Sequence, residues 1–228
     1  MERISLDFIG PLKTTKFGNK MILVITEHFT KFALAIALPN KEAKNVAKVI
    51  YERVICFFGT FDVCLTDCGS EFNNQLVDNL LSLSDIKHDK SSPYHPQTNV
   101  LTEKFNQTLI NTLSTFVNSA CDDWDELLAP VLFAYNSKIH ISTKISPFKA
   151  MFLRNPQFTL AWENGIKNFN NNPDENSVKK ISEKIIENNL QAQKEQNKYY
   201  DSKNKVIKFE VGDKVFRINS KKNQKRGL

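Results

Sequence analysis

Three carboxylates stand in contexts that could do chemistry. Asp7 interrupts an otherwise apolar run at residues 4–9, Ile-Ser-Leu-Asp-Phe-Ile. In an extended strand, side chains alternate between faces, so Asp7 shares one face with Ser5 and Ile9. An ionised carboxylate in such a strand is costly unless it is paired or binds a metal. An edge strand facing water is the plainer explanation. Asp67 ends a second apolar run, residues 61–66, and enters Cys68-Gly69-Ser70. Asp before Gly and Ser is also ordinary turn chemistry. Glu103 falls in the first turn of a long amphipathic stretch, where an acid also suits the helix dipole. Each acid alone therefore has a structural explanation, and 25 acids allow many chance triples. The combination is more informative, because two strand carboxylates and one on a helix can converge at one end of a sheet. Three crowded acids repel and need a counter-charge. Hard divalent cations with oxygen ligands supply it, Mg²⁺ being the usual one in phosphate chemistry. Two such ions about 4 Å apart stabilise both the attacking and the leaving oxygen of an in-line phosphoryl displacement.

The elements that must position these acids follow from periodicity. Strands are predicted at 4–9, 21–25, 32–38 and 61–66, with a short fifth at 86–88. A helix over 41–58 carries Ala43, Val46, Ala47, Ile50 and Val54 on one face and stops at Gly59, as a C-terminal glycine should. A second helix spans 73–83. Residues 91–99 form a loop with Pro93 and Pro96. A long helix follows, with an apolar stripe of Leu101, Phe105, Leu109, Leu113, Phe116 and Val117. Glu103 lies about 160° around from Phe105, on the opposite side. Further helices are predicted at 124–135 and after Pro147, which suits a first turn. Past Pro156 the character changes. Residues 163–175 are rich in Asn and Gly and read as a linker, 177–200 are polar and helical, and 206–218 hold a turn leading into a strand.

Composition sets the frame. The chain has 228 residues, 41% hydrophobic and 25% charged, which suits a globular domain with an appendage. It has no run of eighteen apolar residues, so a membrane-spanning helix is excluded. The start shows no signal or transit peptide, so a cytosolic or nuclear protein is expected. Cys56, Cys64, Cys68 and Cys121 form no Cys-x-x-Cys pair and have no zinc-spaced His pair nearby, so they read as reduced thiols. From residue 201 onward nine Lys or Arg face three acids, which places the whole net charge of +6 there. Such a tail either tracks phosphates or is simply solvated. His28, His88 and His140 give no signal beyond packing.

Several segments together resemble the integrase core of retroviruses and, more narrowly, of gypsy-class long-terminal-repeat retrotransposons. They are LDFIGP around Asp7, LTDCGSEF around Asp67, and SSPYHPQTN followed by TEKFNQTL around Glu103. DDWDELL (122–128), FAYNSKIHISTKISPF (133–148) and VGDKVF (211–216) extend the match. Asp67 and Glu103 have 35 residues between them, the spacing typical of that family. The resemblance implies a ribonuclease-H-like α/β fold, a mixed five-stranded sheet flanked by helices. It implies a catalytic core over 1–156, a linker and helix over 157–200, and a basic, truncated start of a C-terminal DNA-binding module over 201–228. It implies that Asp7, Asp67 and Glu103 hold two Mg²⁺ or Mn²⁺ ions. Tyr94, His95, Pro96 and Gln97 would border the site and touch DNA. Lys104, Asn106 and Gln107 would reach phosphates or base edges, with solvated helix surface as the alternative. The implied partners are element ends and target DNA, bound by a dimer or tetramer of the chain, in the nucleus after cytoplasmic assembly. Val100 stands where the family usually has glycine, and the family's N-terminal His-His-Cys-Cys zinc module is not seen. A fragment or decayed copy is therefore expected, and the alternative function is a domesticated DNA-binding protein without catalysis.

Overall fold

The structure, a computed structural model, describes residues 1–91, 100–157 and 175–203. Five strands form one sheet: β1 (Arg3–Ile9), β2 (Met21–Glu27), β3 (Ala33–Leu38), β4 (Val63–Thr66) and β5 (Lys87–Lys90). Their order is β3-β2-β1-β4-β5. The first three form an antiparallel meander, while β4 lies parallel to β1 and β5 parallel to β4. The sheet is therefore mixed, and β1 is its central strand. Gly10 ends β1 at φ +132°, and a Cβ there would lie 2.9 Å from the Lys20 carbonyl, so only glycine allows this exit.

The helices cover both faces. The predicted helix over 41–58 forms as α1 (Ala43–Val49), a π-helical stretch (Ile50–Ile55) and a last turn, α2 (Cys56–Phe58), stopped by Gly59 at φ +82°. The widened middle keeps Ile50 and Val54 buried. α3 (Gln75–Leu83) is capped by Asn74, whose side chain accepts from the Val77 N–H at 3.0 Å. These helices bury Ile4, Leu6, Leu23 and Ile25 from one face of the sheet. α4 (Val100–Phe116) and α5 (Trp124–Ser137) cover the other face, where Ile22 and Val24 meet Phe105, Leu109, Leu113, Trp124 and Leu128. Alternation along β1 and β2 explains this division, since neighbouring residues point to opposite faces.

The α4 stripe departs from the prediction at one end. Phe105, Leu109 and Leu113 are buried, but Phe116 is 65% exposed. Phe116 closes the helix, a turn beyond the last residues that meet the sheet, while Val117 after it folds back onto the core. The fifth strand begins one residue later than predicted and runs to Lys90, with Ile86 buried just ahead of it.

α6 (Pro147–Phe152) opens with proline and is capped by Ser146, which accepts from the Lys149 N–H at 3.2 Å. α7 (Glu175–Lys203) is long and polar. Ile181 and Ile185 pack against Ile145, Ala150 and Phe29, and the Asn188 amide donates to the Thr143 carbonyl at 2.8 Å. Residues 1–191 form one compact unit. Residues 192–228 are a second, of which 192–203 continue α7. Most of the expected 163–175 linker, and the expected 206–218 strand, lie outside the described residues. Among the described residues no helix is long and apolar enough to cross a membrane, and all four cysteines are free.

Candidate active site

Asp7 sits on β1 opposite Val24 of β2. It is half-buried, and its face of β1 is the one α4 covers. One carboxylate oxygen accepts from the Phe8 N–H at 2.8 Å, the other from the Asn106 amide at 2.8 Å. Burial raises the Asp7 carboxyl above the usual range. The charges of Asp67 and Glu103 push it the same way, while the two hydrogen bonds resist. Asp67 at the end of β4 and Glu103 in the first turn of α4 thus both lie within electrostatic reach of Asp7 on β1. Glu103 is exposed and Phe105 buried, so the helix turns its acid away from its apolar stripe as expected.

Asp67 leaves β4 into the turn before α3. Its Oδ1 accepts from the Gly69 N–H at 2.9 Å. A Cβ on Gly69 would lie 2.9 Å from that oxygen and 2.8 Å from the Glu71 carboxylate, so the turn packs two carboxylates against a bare Cα. Glu71 is buried and paired with Lys41 at 3.0 Å. Burial works against its charge, but its own backbone N–H and Lys41 outweigh that and hold the carboxyl below the usual range. On the other side, Thr26 of β2 and Thr102 of α4 share a buried hydroxyl hydrogen bond of 2.9 Å, one residue before Glu103. These groups were not singled out from the sequence, because each contact joins residues 30 or more positions apart.

Asp7, Asp67 and Glu103 offer only oxygen ligands, the chemistry a hard cation such as Mg²⁺ or Mn²⁺ needs. A carboxylate oxygen carries two lone pairs, so the bonds to Phe8 and Asn106 leave Asp7 capacity to bind a metal. The Asn106 carbonyl oxygen beside Asp7 is buried with no partner among the described residues, an acceptor open to an incoming donor. The donor set therefore fits. The acids do not form a closed cage: among the described residues no three His, Cys, Asp or Glu side chains stand close enough to hold one ion. Asp7 and Asp67 are instead turned toward their own backbone and amide donors.

Of the expected DNA contacts, Lys104 and Gln107 are exposed on α4, and the Gln107 amide donates to Asn111 at 2.8 Å. Asn106 gives its amide to Asp7 and so supports a candidate ligand. Tyr94, His95, Pro96 and Gln97 lie outside the described residues.

A five-stranded mixed sheet in this order, with helices on both faces and acids at its centre, defines a ribonuclease-H-like fold. Solved structures share it. The catalytic core domain of BIV integrase matches with a TM-score of 0.55 at 22% identity, over 67% of this chain and 94% of that one. A chain of the simian T-cell lymphotropic virus intasome, solved with PP2A regulatory subunit B56 gamma, matches with a TM-score of 0.55 at 16% identity, over 65% of this chain and 53% of that one. In sequence, residues 1–96 match the family described as integrase core domain. The retrovirus-related Pol polyprotein from transposon 412 of Drosophila melanogaster is 30% identical over 221 residues, 94% of this chain and 18% of that protein. The Tf2-3 transposon polyprotein of Schizosaccharomyces pombe is 27% identical, over 94% of this chain and 16% of its own length. The chain thus spans less than a fifth of the curated relatives it matches. In sequence and in fold it is similar to catalytic cores of the retroviral integrase type.

Proposed function

We propose that this chain is the core of a gypsy-class retrotransposon integrase, a polynucleotidyl transferase that joins element DNA to target DNA. The observation that carries the reading is Asp7: a half-buried strand carboxylate, raised by burial and by Asp67 and Glu103, in a fold shared with integrase cores. Asp7, Asp67 and Glu103 would hold two Mg²⁺ or Mn²⁺ ions. When bound, the ions supply activation of the attacking oxygen and stabilisation of the leaving one.

The chain's own residues do the rest. Asn106 fixes the Asp7 carboxylate, and Gly69 leaves room for that of Asp67. Lys104 and Gln107, exposed on the helix that carries Glu103, would meet phosphates. Tyr94, His95 and Gln97 are assigned to the DNA-bordering loop. In the first reaction water cleaves near the 3′ end of the element DNA. In the second the freed 3′-hydroxyl attacks a target phosphodiester. The working form is a dimer or tetramer on DNA, acting in the nucleus after cytoplasmic assembly.

The test is a strand-transfer assay with oligonucleotide element ends and Mn²⁺. Asp67→Asn should abolish joining and leave DNA binding largely intact. Joining that persisted in this variant would refute the site assignment.

A further inference from the structure

Behind Asp67, on the sheet face toward α3, lies a hydrogen-bonded chain that the reading above does not use. His88 pairs with Cys64 across the β4–β5 ladder, so Thr66, two residues along β4, shares its face. His88 Nδ1 stands 2.6 Å from Asp78 Oδ1 of α3, and His88 Nε2 stands 2.9 Å from Thr66 Oγ1. Thr66 Oγ1 then donates to the Asp67 carbonyl at 2.9 Å. The last ladder step, from the Ser91 N–H to the Thr66 carbonyl at 2.8 Å, comes just before the chain leaves the sheet. The Thr66 hydroxyl takes up the next carbonyl, that of Asp67.

We propose that Asp78, His88 and Thr66 form a positioning relay that sets the Asp67 peptide, and with it the Asp67 carboxylate, for metal binding. This rests on the reading of Asp67 as a metal ligand. One feature separates the relay from incidental polar packing. Thr66 is 1% exposed, and valine would fill its place as well, so the hydroxyl serves its partners. The far end is held as well: Lys90 Nζ lies 3.2 Å from Asp78, and the bond from His88, with help from Lys90, keeps the Asp78 carboxyl below the usual range. Loss of a group that orients a ligand from behind typically costs about 10- to 100-fold in metal affinity.

The experiment measures Mn²⁺ binding to the full chain, without DNA, from the loss of the free-ion electron-paramagnetic-resonance signal, with thermal unfolding alongside. Thr66→Val should weaken binding on the order of ten-fold, and Thr66→Ser, which keeps the hydroxyl, should restore it. Asp78→Asn alters the half-exposed far end and should weaken binding in the same direction, whatever Thr66→Val does to folding. Asp67→Asn is the reference and should show the largest loss. If Asp67→Asn loses binding while Thr66→Val and Asp78→Asn match the parent, the relay is wrong and the site stands. A failure of Thr66→Ser to restore binding also overturns the relay, because packing alone would then explain Thr66→Val. If Asp67→Asn binds as the parent does, the metal site itself is wrong and the relay falls with it.

Discussion

The buried pair of Thr26 and Thr102 offers a sharp test of how the Glu103 helix is held to the sheet. Both residues are at most 1% exposed, and their hydroxyls lie 2.9 Å apart. Thr26 pairs with Ser5, two residues before Asp7, so the contact ties the start of α4 to the strands around that acid. Thr102→Val keeps the shape and leaves the Thr26 hydroxyl buried without this partner. The lost bond is worth about 1 kcal/mol net, and the stranded hydroxyl adds about 1 kcal/mol or more of desolvation. Each single valine variant should therefore cost about 2 kcal/mol. Replacing both partners with apolar groups of the same shape strands nothing and is close to neutral. The double variant should thus lie within about 1 kcal/mol of the parent, which gives a coupling of about 3 kcal/mol. Urea denaturation followed by far-ultraviolet circular dichroism reads all four stabilities. Additive single costs in the double variant, about 4 kcal/mol in total, would refute the reasoning, since the hydroxyls would then be acting separately.

Three other outcomes follow from the structure. The Asn136 side chain accepts from the Ala33 N–H at 3.0 Å and donates to the Ala33 carbonyl at 2.8 Å, all buried; Asn136→Leu should cost about 3 kcal/mol in denaturation, and a cost under about 1 kcal/mol would contradict the clip. Gly69→Ala must push Asp67 and Glu71 aside, so joining should fall at least about ten-fold with little change in unfolding temperature, whereas full activity would mean the turn yields freely. Burial, with Lys31 and Arg3 adding to it, lowers His28 from 6.5 to about 4, so the folded state binds fewer protons than the unfolded one between those values. Stability is thus full above pH 6.5 and declines by about 3 kcal/mol as the pH falls through that window. His140, lowered to about 4 chiefly by burial, adds to this decline, while the raised Asp7 carboxyl opposes it. Denaturation curves at pH 7.5 and 4.5 should show a smaller loss for His28→Gln than for the parent, and equal losses would contradict the assignment.

The strands were legible because both faces of the sheet are covered, so β1 and β2 had to be apolar along most of their length. Asp7 was conspicuous for the same reason. Glu103 could be placed on its helix because Phe105, Leu109 and Leu113 fix which side faces inward. What stayed hidden depends on distance in the chain. A sequence shows that Asn106 lies near Glu103, but not that α4 comes close enough to β1 for its amide to reach Asp7. His88 looked like ordinary packing, because its partners Thr66 and Asp78 belong to other elements. The widened turns at Ile50–Ile55 were invisible too, since burial of Ile50 and Val54 suits either helical form. Phe116 misled because periodicity does not reveal where the opposing sheet ends.

The parallel pairing at the middle of the sheet has a consequence for assembly. Ser5 is joined to Leu65 across β1 and β4, some sixty positions apart, whereas β1, β2 and β3 can zip together as successive hairpins. Such a long closure is slow compared with local pairing. Until it happens, β1, the central strand of the finished sheet, presents a bare hydrogen-bonding edge that any extended segment, including one from a neighbouring copy, can occupy. The vulnerable species on the way to the folded state is therefore the three-stranded meander, and it is capped only when the strand leading to Asp67 docks.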